Sequence, residues 1–275
     1  MNAVQISTTK LAYIDQGHGA PILFVHGFPL DHSMWAAQIE ALSANYRVIA
    51  PDLRGFGQSP LGKADPKVGI TMEQYANDLS EFLDALKITE TVVLAGFSMG
   101  GYIAWQFVRK HSNRLRALIL CDTRAQADND EGRAGRIKMA DNVAEWGSGR
   151  VAEIMGPRLF ASSTFEKKPE LIAAVRRVVE RTPPAAIAAA QRGMAARPDT
   201  TAFLPSIRLP ALVVVGVLDA ISTRDEMKSI AAAIPNAQFV EIAEAGHMTT
   251  MENPAAVNEA LTAFLARHLR PGPKV

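Results

Sequence analysis

Val92-Val93-Leu94-Ala95-Gly96-Phe97-Ser98-Met99-Gly100-Gly101 is the stretch on which the reading of this chain turns. Its first four residues are apolar and partly β-branched, as in a strand buried on both faces. After Ser98 the uncharged run continues to Val108 and reads as a helix. Between strand and helix stands Gly-x-Ser-x-Gly. A chain that passes directly from one to the other must turn sharply at Ser98. That turn strains the serine backbone and presents its hydroxyl at the edge of the sheet. Side chains two positions either side would collide where helix and strand converge, so glycine is needed at Gly96 and Gly100. The helix N-terminus offers unpaired N–H groups and partial positive charge to a developing oxyanion. Thr91 to Val108 is near the length of a membrane span, but its glycines and Ser98 break it.

Outward from this stretch, short apolar runs alternate with longer amphipathic ones. The runs are Ile22–Val25, Tyr46–Ala50, Val92–Ala95, Leu115–Cys121, Ala211–Val215 and Gln238–Ile242. Helices are expected over Met34–Ser43, Met72–Leu86, Gly100–Lys110, Arg224–Ala233 and Ala255–Leu269. Such alternation implies an α/β architecture, a mostly parallel sheet with helices on both faces. Val4–Ser7 and Leu11–Ile14 read as a hairpin at one edge. From Arg124 to Arg208 no convincing strand occurs, and Pro157, Pro169, Pro183, Pro184 and Pro198 divide the stretch into helical pieces. The expected organisation is a core of residues 1–123 and 209–275 with a helical insertion at 124–208.

A serine hydroxyl needs a base to act as a nucleophile at neutral pH. His247 is the best candidate, because Ala245-Gly246-His247-Met248 forms a loop between the last strand and the last helix. Among the other histidines, His18 lies in a glycine-rich loop, and His111 and His268 fall at helix ends, where positive charge is favoured. His32 starts a helix. Asp219 follows a buried strand, so it lies at the same sheet edge as Ser98. Its role would be to accept the Nδ1–H of His247 and fix the tautomer. Asp122, just after the strand ending at Cys121, is the rival, and Asp225 is a weaker one. Phe24-Val25-His26-Gly27-Phe28-Pro29 ends another central strand. It can supply a second oxyanion donor, the backbone N–H of Phe28, beside that of Met99. His26 is expected to pin this loop by hydrogen bonding.

Composition excludes several classes. The 275 residues are 48% hydrophobic and 21% charged, and 29 Lys plus Arg against 28 Asp plus Glu leave a formal charge of +1. That balance gives no general attraction to nucleic acid or to an anionic membrane. The lone cysteine, Cys121, sits in an apolar run and reads as a buried hydrophobe. The first residues, MNAVQISTTKLAYIDQG, lack the basic and apolar regions of a signal peptide, so a cytoplasmic location is expected. There is no phosphate-binding loop, no dinucleotide fingerprint and no metal-ligand spacing. No cofactor and no metal are expected.

The combination resembles the α/β-hydrolase superfamily over nearly the whole chain. The residues that carry the likeness are His26-Gly27-Phe28-Pro29, Asp52-Leu53-Arg54-Gly55-Phe56-Gly57-Gln58-Ser59, Gly96-Phe97-Ser98-Met99-Gly100-Gly101, Asp219, Gly246-His247 and Met251-Glu252-Asn253-Pro254. The chain order Ser98, Asp219, His247 is the one associated with that fold. Within the superfamily it looks most like small-acyl carboxylesterases, 3-oxoadipate enol-lactonase-like members and cofactor-free haloperoxidases. One departure is Val217, where many relatives carry a polar residue. The resemblance implies an eight-stranded sheet with one antiparallel strand and a helical cap after strand six. It makes Asp52 and Arg54 loop anchors, and Glu252 an anchor rather than an acid. It implies a serine hydrolase of small to medium carboxylic esters or lactones, with a small-molecule substrate and an acyl-enzyme intermediate. The alternatives are perhydrolysis by the same triad and a slow-turnover ligand receptor. Trp35, Met139, Trp146, Met155, Phe160 and Met194 are the candidate pocket residues. The cap arginines Arg133, Arg136, Arg150, Arg158, Arg176 and Arg177 either receive a substrate carboxylate or form a solvated face.

Overall fold

The computed structural model describes residues 1–62 and 65–269. Its strands are β1 (Asn2–Gln5), β2 (Lys10–Gln16), β3 (Pro21–Val25), β4 (Arg47–Pro51), β5 (Val92–Phe97), β6 (Leu115–Cys121), β7 (Ala211–Gly216) and β8 (Ala237–Ile242). They form one eight-stranded sheet in the order β1-β2-β4-β3-β5-β6-β7-β8. Only β2 runs against the rest, pairing antiparallel with β1 and β4. β3, β5 and β7 are buried along their whole length, which is why they read as unbroken apolar runs. The edge strand β8 is mostly half-buried and carries polar residues accordingly.

The helices are α1 (Ala36–Leu42), α2 (Asp65–Val68), α3 (Met72–Ala85), α4 (Met99–His111), α5 (Asp130–Leu159), α6 (Ser162–Lys167), α7 (Pro169–Arg181), α8 (Pro184–Ala195), α9 (Arg224–Ala233), α10 (Thr249–Glu252) and α11 (Pro254–His268). They cover both faces of the sheet, α1 packing on α11 and α3 on α4. The expected helix Met34–Ser43 is split. A 3₁₀ turn, His32–Trp35, comes first, because the Asp31 side chain accepts from the Ser33 N–H at 3.0 Å and tightens the start.

The helices α5 to α8 follow one another between β6 and β7, the stretch for which a helical cap is expected. Proline does not divide it quite as the sequence suggests. Pro169 and Pro184 open α7 and α8, where a missing N–H costs nothing. Pro157 instead lies inside α5, and the break in that helix falls at Gly147, with φ 74° and ψ 164°. Only glycine adopts that conformation readily. No helix among the described residues is long and apolar enough to cross a membrane.

Candidate active site

Three strands end at one place. β5 runs straight into Ser98, whose backbone is held at φ 51°, ψ −112°, and α4 begins at the next residue. This is a strained conformation for a residue with a side chain. The glycines explain how so tight a turn packs. A Cβ on Gly96 would lie 2.5 Å from the Gly100 carbonyl oxygen. A Cβ on Gly100 would lie 2.3 Å from the carbonyl oxygen of Val25 on β3, so the second glycine is demanded by the neighbouring strand. The same contact sets the His26–Phe28 loop against the turn.

His247 comes from the loop after β8. Its Nε2 lies 3.0 Å from the Ser98 Oγ, and its Nδ1 lies 2.8 Å from Oδ2 of Asp219. Because a carboxylate only accepts, Nδ1 carries the proton and Nε2 is free to accept from the serine hydroxyl. The second oxygen of Asp219 accepts from the N–H groups of Ile221 at 2.7 Å and Ser222 at 3.0 Å, which fixes its plane. The side chains of His247 and Asp219 are almost fully buried, whereas Ser98 is half-open. This is the arrangement required to pull a proton from a serine and stabilise the resulting imidazolium.

The rival acids do other things. Asp122 accepts from Gly216 N–H at 2.9 Å and is bonded to the Thr249 hydroxyl. Burial, and then the charge of Asp219, push its carboxyl well above the usual carboxylate range. Asp225 sits in the first turn of α9. The other histidines are engaged elsewhere. His111 Nε2 meets Asn77 Oδ1 at 2.9 Å, and His268 packs on Phe264 with ring centroids 4.6 Å apart. The Cys121 thiol is buried, and burial raises its pKa well above the ordinary value.

The loop carrying Phe28 is pinned as its sequence suggests. His26 Nδ1–H donates to Gly27 O at 2.9 Å, and Nε2 accepts from Leu53 N–H at 2.9 Å. Burial lowers the pKa of His26, consistent with a neutral ring in both roles. Gly27 abuts the turn, since a Cβ there would meet the Phe97 ring at 2.6 Å and its carbonyl oxygen at 3.2 Å. The loop of His26 and Gly27 is thus packed directly on the turn that carries Ser98. Asp52 and Arg54 hold the next loop. Asp52 accepts from His32 N–H at 2.9 Å, His32 Nδ1 at 2.7 Å and Gln58 N–H at 2.8 Å. Arg54 forks onto Asp78 at 2.8 and 2.6 Å.

The pocket candidates fare unevenly. Trp35 is wholly buried, its ring 4.6 Å from that of Phe24 and 6.4 Å from that of Phe97. It supports the core beneath the site and is not a pocket wall. Met194 and Met139 sit between α5 and α8, their sulfurs accepting from Arg136 at 3.4 Å and Gln191 at 3.0 Å. Phe160 packs edge-on to Phe165, 6.1 Å between centroids, beside a cavity of about 160 Å³ within the cap. Trp146 and Met155 are half-buried along α5. Of the cap arginines, Arg133, Arg150 and Arg176 are exposed and pair with nearby acids, as a solvated face does, whereas Arg136 is half-buried against Asp128.

Two arrangements escaped the sequence. Asp31, His32 and Asp52 bring possible ligand atoms within 4.8 Å of one another, although Asp52 is distant in the chain. Their oxygens and ring nitrogen already bond among themselves and to Ser33. Glu252 anchors the loop at Gly246, as the resemblance implies, and it also reaches into the cap at Ala161 and Thr164. The signal lay in Met251-Glu252-Asn253-Pro254, but nothing in those residues names the partner.

Residues 20–254 match the family model described as the alpha/beta hydrolase fold. The chain is similar to the AB hydrolase superfamily protein YisY of Bacillus subtilis, 31% identical over 91% of this chain and 93% of the other. Among solved structures it resembles a thermophilic esterase from Thermogutta terrifontis with malate bound, at 46% identity and a TM-score of 0.93, covering 98% and 100% of the two chains. It also resembles the enol-lactonase from Burkholderia xenovorans LB400, at 30% identity and a TM-score of 0.88, covering 96% and 100%. The likeness runs from the first strand of the core through the cap to the final helix, and the chain belongs to the α/β-hydrolase family.

Proposed function

We propose that this protein is a serine hydrolase of carboxylic esters or lactones with small to medium acyl groups. The observation that carries the reading is the continuous relay Ser98 Oγ to His247 Nε2 at 3.0 Å and His247 Nδ1 to Asp219 Oδ2 at 2.8 Å. Ser98 attacks the substrate carbonyl while His247 takes its proton. Asp219 stabilises the imidazolium. The backbone N–H groups of Phe28 and Met99 receive the oxyanion, each worth on the order of 3 kcal/mol in a dry site. His247 then protonates the leaving alkoxide. Water, deprotonated by His247, releases the acyl group from Ser98. Besides the substrate, these steps use protein groups and water.

The esterase and the enol-lactonase among the structural neighbours support an ester or lactone substrate over other acyl classes. We take residues 124–208 as the cap unit, and 1–123 with 209–275 as the catalytic unit, because α5 to α8 pack chiefly on one another. The substrate is selected at the seam between the two.

The test is a panel of short- and long-chain aryl esters and lactones with the wild type and Ser98→Ala. Rapid wild-type turnover, with loss of several orders of magnitude in the variant, supports the reading. Near-native turnover by Ser98→Ala overturns it. Peroxide-dependent halogenation faster than ester cleavage favours the perhydrolase alternative. Single-turnover labelling favours a receptor.

A further inference from the structure

The loop that carries His247 is fastened to the cap on both sides of the histidine. On one side, Met248 N–H donates to the carbonyl of Leu159, in the last turn of α5, at 3.0 Å. On the other, Gly246 N–H donates to Oε1 of Glu252 at 2.8 Å. The second oxygen of that carboxylate crosses to the cap. Oε2 accepts from Ala161 N–H at 2.8 Å and from the Thr164 hydroxyl at 2.5 Å. Lys168 adds a further bond from the cap, Nζ to the Glu252 carbonyl at 2.5 Å. The loop and the cap backbone are in direct contact as well. A Cβ on Gly246 would lie 2.5 Å from Ala161 N and 2.7 Å from Phe160 C.

A carboxylate that is 4% exposed and spans two units in this way is costly unless it is fully bonded. A structural anchor for the His loop alone would need only the bond to Gly246. Here one carboxylate spends one oxygen on the catalytic loop and the other on the cap, so displacing either side leaves a buried charge short of donors. Leu159 ends α5, and Phe160 and Ala161 form the short link to α6, all downstream of the break at Gly147. The part of the cap that follows the break is thus the part tied to the base.

We propose that Glu252 is a positioning residue that makes the placement of His247 depend on the seating of the cap. With Ala161 and Thr164 docked on Glu252, the 246–248 loop is held so that Nε2 reaches Ser98. When the 159–164 segment lifts, the loop loses its restraint and the base leaves its line to the serine. Cap seating over a bound substrate then completes the catalytic geometry. This rests on the reading of Ser98 and His247 as nucleophile and base.

The test targets the cap side, at Thr164 and Lys168, which bond to Glu252 rather than to Ser98 or His247. Thr164→Val removes the hydroxyl donor without changing the shape, and Thr164→Ser restores it. Hydrolysis of 4-nitrophenyl acetate is followed, with competent Ser98 counted by burst titration, alongside Tm. Thr164→Val should lower kcat per titrated site about fivefold with KM within about twofold, and Thr164→Ser should recover most of it. Lys168→Met should act in the same direction. Glu252→Gln, whose amide cannot accept on both sides, should cost about a hundredfold, as a misplacement of near 1 Å does. Wild-type kcat in folded Thr164→Val and Lys168→Met overturns the inference, as does a loss that Thr164→Ser fails to restore. If Thr164→Val does not fold, Lys168→Met alone decides. Loss of activity in Ser98→Ala with wild-type rates in the cap variants would leave the serine mechanism standing and remove only the link.

Discussion

Asp122 and Asp219 leave neighbouring strands at the same edge of the sheet, and only Asp219 reaches His247. β6 and β7 pair in parallel, and each is followed at once by its turn. Asp122 turns back into the sheet, with φ 47°, and bonds to Gly216 N–H at 2.9 Å and to the Thr249 hydroxyl. Asp219 is carried a little further, and the N–H groups of Ile221 and Ser222 orient it toward the imidazole.

Their asparagine variants should therefore part company. Asp219→Asn presents a donor to Nδ1 and selects the wrong tautomer, so kcat should fall by about 10⁴-fold. In Asp122→Asn the amide oxygen still accepts from Gly216 N–H, and the amide N–H donates to Thr249. Its kcat should stay within about threefold of wild type, since both buried partners remain satisfied. Steady-state kinetics on one aryl ester compare the two, and equal losses would remove the assignment of roles.

Asp122 also predicts a pH dependence of stability. Burial, then the charge of Asp219, raise its folded pKa above the unfolded value. The stability it contributes is complete below the unfolded pKa, about 3.9, and is lost as pH rises toward the folded one. Asp122→Asn escapes that loss. The variant should gain Tm relative to wild type between pH 4.5 and 7.5, with the gap widening upward. Thermal melts across this range, showing a gap that narrows as pH rises, would contradict the direction of the shift.

Ser98 stores strain that a second substitution exposes. Its φ of 51° with ψ of −112° suits glycine better than any other residue. Ser98→Gly should be more stable than Ser98→Ala by about 1–2 kcal/mol, although both are inactive. Urea unfolding of the pair measures it, and an equally stable pair would place the strain elsewhere.

His32 and Asp52 form a partly buried ion pair at 2.7 Å. Burial opposes charge on His32, but the hydrogen bond and charge of Asp52 outweigh it, so its pKa is raised. Burial likewise opposes the Asp52 charge, and the bonds from His32 and Gln58 outweigh it, so its pKa is lowered. The His32 contribution is full below the unfolded histidine pKa, about 6.5, and is lost as pH rises through the folded one. The Asp52 contribution is lost as pH falls through its own folded value. His32→Gln should thus cost about 1 kcal/mol near pH 6 and less near pH 9, as read from denaturant midpoints at the two pH values.

Much of this molecule was legible in its sequence because the relevant physics is local. The apolar run at Val92 and the glycines at 96 and 100 specify a strand, a tight turn and a helix, whose backbones nearly touch. The alternation of runs specifies a buried parallel sheet, and chain order with loop position selects Ser98 and His247. What tertiary structure decided are questions of partnership between distant residues. Asp122 and Asp219 are alike in sequence context and differ in which N–H groups surround each carboxyl. Trp35 reads as a pocket candidate just beyond the Phe28 loop, and the fold sets it in the core against Phe24 and Phe97. Glu252 looks like one acid before a proline. Its reach to Gly246, Ala161 and Thr164 exists only once the cap has folded back over the sheet. A residue pattern records the local backbone and the average exposure of its neighbours, whereas the choice of a buried polar partner depends on which segments the fold brings within hydrogen-bond distance.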